Sequence, residues 1–150
     1  METNKMKKNI KDIPLQEITL RKYEIPTALD DRELARKFLL SIGMLQPGDS
    51  RDIIVDVFHT LLKSGGSGAV FEQISERLQG KAGASAPNIR RQLRRLVEVK
   101  VAEKRGEAYR IVEGGNLSEM IENYLEKFVV LPSLERIKQY ARALEKLSSA

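Results

Sequence analysis

Residues 85–112 read SAPNIRRQLRRLVEVKVAEKRGEAYRIV, and the interleaving of arginine with aliphatic residues in the first half decides how the chain is read. Each helical residue advances about 100°, so Ile89, Leu93, Leu96 and Val97 form one apolar stripe while Asn88, Arg91, Arg94 and Arg95 turn outward. Arg90 flanks the stripe, where its aliphatic stem covers apolar surface and its head stays wet. Ser85 stands as N-cap, and Pro87 fits the first turn because the N–H it lacks would find no partner there. Beyond Val97 the pattern changes: Val99 and Val101 lead into a strand, Gly106 and Glu107 make a tight turn, and 108–112 returns with Tyr109 and Ile111 alternating against Arg110. Lys104 and Arg105 are left near the hairpin tip.

The chain has 150 residues and a net charge of +5, and the excess is concentrated. Residues 81–110 hold nine basic side chains (Lys81, Arg90, Arg91, Arg94, Arg95, Lys100, Lys104, Arg105, Arg110) against three acidic ones (Glu98, Glu103, Glu107), which leaves the rest close to neutral. A concentrated basic patch attracts polyanions and releases their counterions on binding, whereas scattered lysines serve mainly solubility. An ordinary solvated face is the alternative for such a run. The planar arginine fork suits guanine O6 and N7, or phosphate. Arg91 and Arg95 are therefore expected to face a DNA major groove, with Asn88 able to read adenine and Arg94 near the groove edge. Lys104 and Arg105 are expected on phosphate or in the minor groove, and Arg90 is expected among the DNA-contacting residues as well, on base or phosphate.

Composition bounds the remaining classes. Apolar residues at 41% and charged residues at 31% fit a globular chain rather than a disordered one, and no apolar run approaches the roughly 20 residues that span a bilayer. METNKMKKNIKD lacks an apolar signal core, so a cytoplasmic location is expected. With no cysteine and a single histidine, His59, neither a disulfide nor a metal site is expected, and no cofactor. No serine lies in a nucleophile elbow, and Gly80-Lys81 is followed by Ala82 where a phosphate loop needs a hydroxyl. The carboxylates stand in helix caps or among basic residues. No enzymatic activity is expected. Tyrosines 23, 109, 124 and 140 fit core or interface positions, with no aromatic pair suited to stacking successive bases of single-stranded RNA.

Upstream, residues 1–12 form a polar arm with Lys5, Lys7, Lys8 and Lys11, expected to be loose. Between Pro14 and Pro26, Ile18 and Leu20 alternate with polar neighbours, which predicts a short extended segment whose Arg21 and Lys22 could touch a phosphate. Asp30 and Glu33 have capping-box spacing before Leu34, Phe38, Leu39 and Ile42, a helix that Gly43 stops. A second helix is expected from Asp49 or Ser50 to about Lys63, burying Ile54, Val57, Phe58, Leu61 and Leu62 and leaving His59 exposed. SGGSG at 64–68 ends it. Ala69 and Val70 can add a short strand, and 71–78 reads as a brief helix with Phe71, Ile74 and Leu78 inward.

After the hairpin, GGN at 114–116 breaks the chain. Asn116 and Glu119 repeat the capping-box spacing, and Leu117, Met120, Ile121, Tyr124, Leu125 and Phe128 follow a helical period. Pro132 is expected to interrupt, with Ser133 capping a last helix that carries Leu134, Ile137, Tyr140, Ala141, Leu144 and Leu147. These side chains need a surface, either their own chain or a second copy. A homodimer is expected through Leu117, Ile121, Tyr124, Phe128, Ile137, Tyr140 and Leu144. No heptad is sustained over three repeats, so a long coiled coil is not expected.

Two helices followed by ASAPNIRRQLRRL and KVAEKRGEAYRIV resemble the winged-helix transcriptional regulators common in archaea. TLRKYEIP, LQPGDSRDIIVDV and the arginine helix are also similar to the euryarchaeal archaellum regulator family, which activates the archaellum operon by binding promoter DNA. The resemblance covers residues 19–112. It implies a DNA-binding transcription factor with Asn88, Arg91, Arg94 and Arg95 on the recognition helix and Lys104 and Arg105 on the wing. The expected architecture is mainly α with a small β-hairpin: an arm and extended segment at 1–29, a winged helix-turn-helix at 30–113, and a C-terminal helical pair at 114–150. The expected function is sequence-specific duplex DNA binding by a transcriptional regulator, with the helix at 86–98 in the major groove and the wing at 100–112 on backbone or minor groove. Double-stranded DNA, a second copy and the basal transcription machinery are the expected partners. The alternative is a winged-helix protein-interaction or RNA-associated module, in which the basic helix meets an acidic partner or structured RNA.

Overall fold

The computed structural model describes residues 12–148; the lysine-rich arm, with Lys5, Lys7, Lys8 and Lys11, lies outside them. In chain order come α1 (Asp31–Ser41), α2 (Ile53–Ser64), a 3-10 turn (Gly65–Ser67), β1 (Ala69–Val70), α3 (Phe71–Arg77) and α4 (Ala86–Glu98). The hairpin β2 (Ala102–Arg105) and β3 (Ala108–Ile111) follows, then a second 3-10 turn (Val112–Gly114), α5 (Leu117–Met120), a π-helical stretch (Ile121–Val130) and α6 (Leu131–Ser148). The chain is mainly helical with one small antiparallel sheet, ordered β1-β3-β2. No described helix is long and apolar enough to cross a membrane.

Asp30 caps α1 as its spacing predicts, its carboxylate accepting the Glu33 N–H at 2.8 Å. The other end is closed from outside the helix. Arg21 donates to the Leu40 and Leu45 carbonyls at 2.8 and 2.9 Å and to Gln46 Oε1 at 2.6 Å, satisfying acceptors that a helix terminus leaves over. Arg21 is thus engaged on α1 rather than open to a phosphate, and residues 13–26 form no strand.

The second helix starts later than the acidic residues suggest. Asp49 instead closes a turn, its carboxylate accepting the Gln46 N–H at 3.0 Å. Asp52, at the N-cap of α2, makes no side-chain cap bond, because its carboxylate is held by Arg32 and by Arg36, the latter at 2.8 Å. One turn on, Asp56 receives a bidentate fork from Arg32, with Nε to Oδ1 at 3.0 Å and Nη2 to Oδ2 at 2.9 Å. These pairs clamp α1 to α2 above the stacked rings of Phe38 and Phe58, whose centroids are 5.6 Å apart. The same packing corrects two expectations on α2. Leu62 is partly open, and His59 is half-buried rather than exposed. His59 lines an apolar groove of about 340 Å³ with Leu34, Phe38, Leu62 and Leu117, because α1 and the start of α5 cover that side of α2.

Below the clamp, Val57, Phe58 and Leu61 of α2 share one buried core with Ile74 and Leu78, with Ile89, Leu93 and Leu96 of α4, and with Val101 and Ile111 of the hairpin. β1 joins the sheet through Ala69 opposite Tyr109 and Val70 opposite Ala108. Its approach needs a glycine: Gly68 has φ 73, and a Cβ there would run into the Tyr109 carbonyl.

The C-terminal pair expected at 114–150 is one unbroken helical run over 117–148, with Pro132 inside it. The π-helical stretch provides the physical reason. At its end the Leu131 N–H reaches back five residues to Glu126 O, so the four-back pattern that proline cannot join is already abandoned when the chain reaches Pro132. Ser133 is not a cap; its hydroxyl donates to Val129 O at 2.6 Å. Asn116 does cap the run, accepting the Glu119 N–H at 3.2 Å.

Candidate functional site

The site is built on α4. Ser85 Oγ accepts the Asn88 N–H at 3.4 Å, and Pro87 lies in the first turn. Ile89, Leu93 and Leu96 are fully buried, which fixes the rotation of the helix about its axis and therefore which arginines face out. The far end is closed by a Schellman motif. Val101 N–H bonds Leu96 O at 3.0 Å and Lys100 N–H bonds Val97 O at 3.1 Å. The left-handed residue this motif requires is Lys100, at φ 66, where glycine is the usual occupant. That reversal delivers the chain directly into β2.

The four arginines of α4 divide into three environments. Arg91 and Arg94 are exposed, and among the described residues neither guanidinium makes an ion pair or hydrogen bond. Arg90 lays its guanidinium over the Phe71 ring, 3.7 Å from the centroid, a cation–π contact that ties α4 to α3 and agrees with its place beside the apolar stripe. Arg95 is half-buried rather than outward: it donates to Gln92 Oε1 at 2.7 Å and to the Met44 carbonyl at 2.8 Å. Burial and then the neighbouring Arg91 charge push the Arg95 pKa below its ordinary value, with Glu98 opposing. An arginine starts far enough above neutrality to stay charged.

Asn88 is likewise engaged. Its Nδ2 donates to Gly83 O at 2.8 Å and its Oδ1 accepts from Gln92 Nε2 at 3.0 Å. Asn88, Gln92 and Arg95 thus form a connected polar row along one flank of α4. Gln92 is the member that reading the arginines alone passes over, although it is 93% enclosed, with only 7% of its surface exposed. The available signal was its position, four residues after Asn88 and three before Arg95, on the apolar side of the helix. This row forms one wall of a cleft of about 880 Å³ whose other residues include Arg51, Asp52, Lys81 and Ser85. Lys81 Nζ stands 3.6 Å from Asp56 Oδ1 across it.

The hairpin continues the basic surface. Lys104 and Arg105 are exposed beside the two-residue turn at Gly106 and Glu107, and Lys104 Nζ lies 5.5 Å from the Tyr109 ring centroid. Arg110 is neutralised at the root by Glu103, at 3.0 Å, and holds Gly66 O at 3.1 Å. The unpaired charge that reaches solvent on this surface is therefore carried by Arg91, Arg94, Lys104 and Arg105, with Arg90 exposed over Phe71 and Lys100 between helix and hairpin. Of the seven residues expected in a dimer contact, Leu117, Ile121 and Tyr124 pack against the chain's own core, whereas Phe128, Ile137, Tyr140 and Leu144 are exposed. Among the described residues no group of three or more His, Cys, Asp or Glu is placed to hold a metal. Compared with protein-family models, curated proteins and solved structures, the chain finds no match.

Proposed function

We propose that this protein is a winged helix-turn-helix regulator that binds duplex DNA, with α3 and α4 as the helix pair, α4 in the major groove and the β2–β3 hairpin as a wing on the backbone or minor groove. The observation that carries the reading is the state of Arg91 and Arg94. Both project from a helix whose opposite side is locked into the core, and among the described residues neither has a counter-ion. Uncompensated guanidinium groups on an anchored helix suit an extended polyanion, since each phosphate neutralised releases condensed counterions. The element order and the β1-β3-β2 sheet support the same reading, because they set the hairpin beside the end of α4. Arg91 and Arg94 take the base-edge and phosphate contacts. Arg95, braced by Gln92, holds the helix against the loop between α1 and α2, and Asn88 ties it to Gly83 in the loop before α4. The role in transcription, including action on archaellum genes, rests on the family resemblance and places the protein in the cytoplasm with its DNA.

Binding of a labelled duplex, titrated at several salt concentrations, tests this. The account expects log K to fall linearly with log salt, and the Arg91→Ala, Arg94→Ala double variant to lower affinity. Where the lost contacts are to phosphate, the salt slope flattens by about one unit per arginine. No binding to any duplex at low salt, or a double variant with unchanged affinity and slope, would contradict it. Structured RNA or an acidic peptide outcompeting duplex DNA would favour the RNA-associated or protein-interaction alternative.

A further inference from the structure

We infer that α6 is a self-association element, and that the α6 helices of two copies of this chain pack antiparallel, crossing near Tyr140. No residue of α6 is buried. Leu134, Ile137, Tyr140, Leu144 and Leu147 are 47–75% exposed, yet on a regular helix they fall, with Ala141, within a stripe about 140° wide. A helix with an amphipathic stripe is half of an interface. The helical run meets its own core only earlier, at Leu117, Met120, Ile121, Tyr124 and Leu125.

Two observations select a second copy in antiparallel orientation. The first is area. Five such side chains offer on the order of 600 Å² per copy, and two copies together reach the low end of the roughly 1,200–2,000 Å² of stable specific interfaces. The second is charge. Lys138 and Glu145 lie seven residues apart on the same flank of the stripe. A two-fold axis near Tyr140 and Ala141 stacks Leu134 over Leu147 and Ile137 over Leu144. It also brings Lys138 of each copy within a turn of Glu145 of the other, twice. A parallel pair would turn that flank toward the opposite one, where Arg136 stands and no carboxylate does. The contact is short enough to need no sustained heptad. It is independent of DNA binding by α4.

Sedimentation of the full chain without DNA reads the association directly. The expected result at tens of micromolar is a species of twice the 17.0 kDa chain mass. Ile137→Asp and Leu144→Asp are each expected to weaken association by roughly 30-fold or more, as loss of a hot-spot residue does, with unchanged circular dichroism because α6 buries nothing in its own chain. Orientation is read by disulfide trapping, clean here because the chain has no cysteine. Lys138→Cys and Glu145→Cys chains should cross-link when mixed and not when each is oxidised alone. A monomer at tens of micromolar overturns self-association, and Lys138→Cys chains that cross-link to themselves as fast as the mixture overturn the antiparallel arrangement.

Discussion

The Arg95 guanidinium donates to the Met44 carbonyl at 2.8 Å across 51 residues of chain, fastening α4 to the loop between α1 and α2. It gives an arginine of the basic helix a structural duty that separates it from Arg91. Arg95→Ala is expected to lower stability by about 1.5–3 kcal/mol, the range for a hydrogen bond to a charged group, and to weaken DNA binding through the lost anchoring of α4. Arg91→Ala should leave stability within about 0.5 kcal/mol while weakening DNA binding. Denaturant unfolding beside duplex titration of both variants reads the split.

Asp56 should make stability acid-sensitive. Burial pushes its carboxyl up, but the Arg32 fork, with Lys81 behind it, outweighs that and holds the pKa below the ordinary 3.8. A depressed folded-state pKa contributes stability that is complete above the unfolded value and lost as pH falls through the folded one. The wild-type advantage over Asp56→Asn is therefore expected to be flat near neutrality and to shrink below about pH 4. At neutral pH it should be about 2 kcal/mol, less than for a fully buried pair because the Arg32 side chain is 40% exposed. Chemical unfolding of both proteins between pH 7 and pH 3 checks it.

Lys100 sits in the left-handed conformation at φ 66, which costs a side-chain-bearing residue about 1–2 kcal/mol. Lys100→Gly should raise stability by about 0.5–1 kcal/mol, the remainder being offset by glycine's greater freedom in the unfolded chain. If the lysine is kept for its charge, the same variant will also bind DNA less tightly and with a flatter salt slope. Melting curves and a salt titration on one preparation measure both effects.

Gly68→Ala meets the Tyr109 carbonyl and an unfavourable φ together. It should cost about 2 kcal/mol or more and detach β1 from β3. Amide exchange at Ala69 and Val70 is expected to speed up ahead of global unfolding.

How much of this was legible depended on whether the deciding contact was local. The caps at Asp30, Ser85 and Asn116, the apolar stripe of α4, the short β1 and the two-residue hairpin turn all follow from neighbours within four residues, and all can be read from sequence. Contacts between distant segments could not. Nothing near Arg21 signals that it closes α1, and nothing in the helix pattern of 86–98 signals that Arg95 reaches Met44. Asp49 and Ser50 look like the start of α2, but the helix begins at Ile53, behind an Asp52 whose carboxylate is claimed by the distant Arg32 and Arg36. Pro132 reads as a break because sequence rules assume an α-helical hydrogen-bond pattern before it, and here a π-helical stretch has already changed that pattern. The Asn88–Gln92–Arg95 row lay between these cases, since its spacing is local but its use as an anchor depends on Gly83 and Met44.

The central claim, that duplex DNA is met by α4 and the hairpin, is tested most directly by mapping amide chemical-shift changes on the full chain as a duplex is added at low salt. The account predicts that the largest changes fall on 86–98 and around the Gly106 turn, with Arg91 and Arg94 among the most affected. Changes concentrated elsewhere, or none at any duplex sequence, would contradict it.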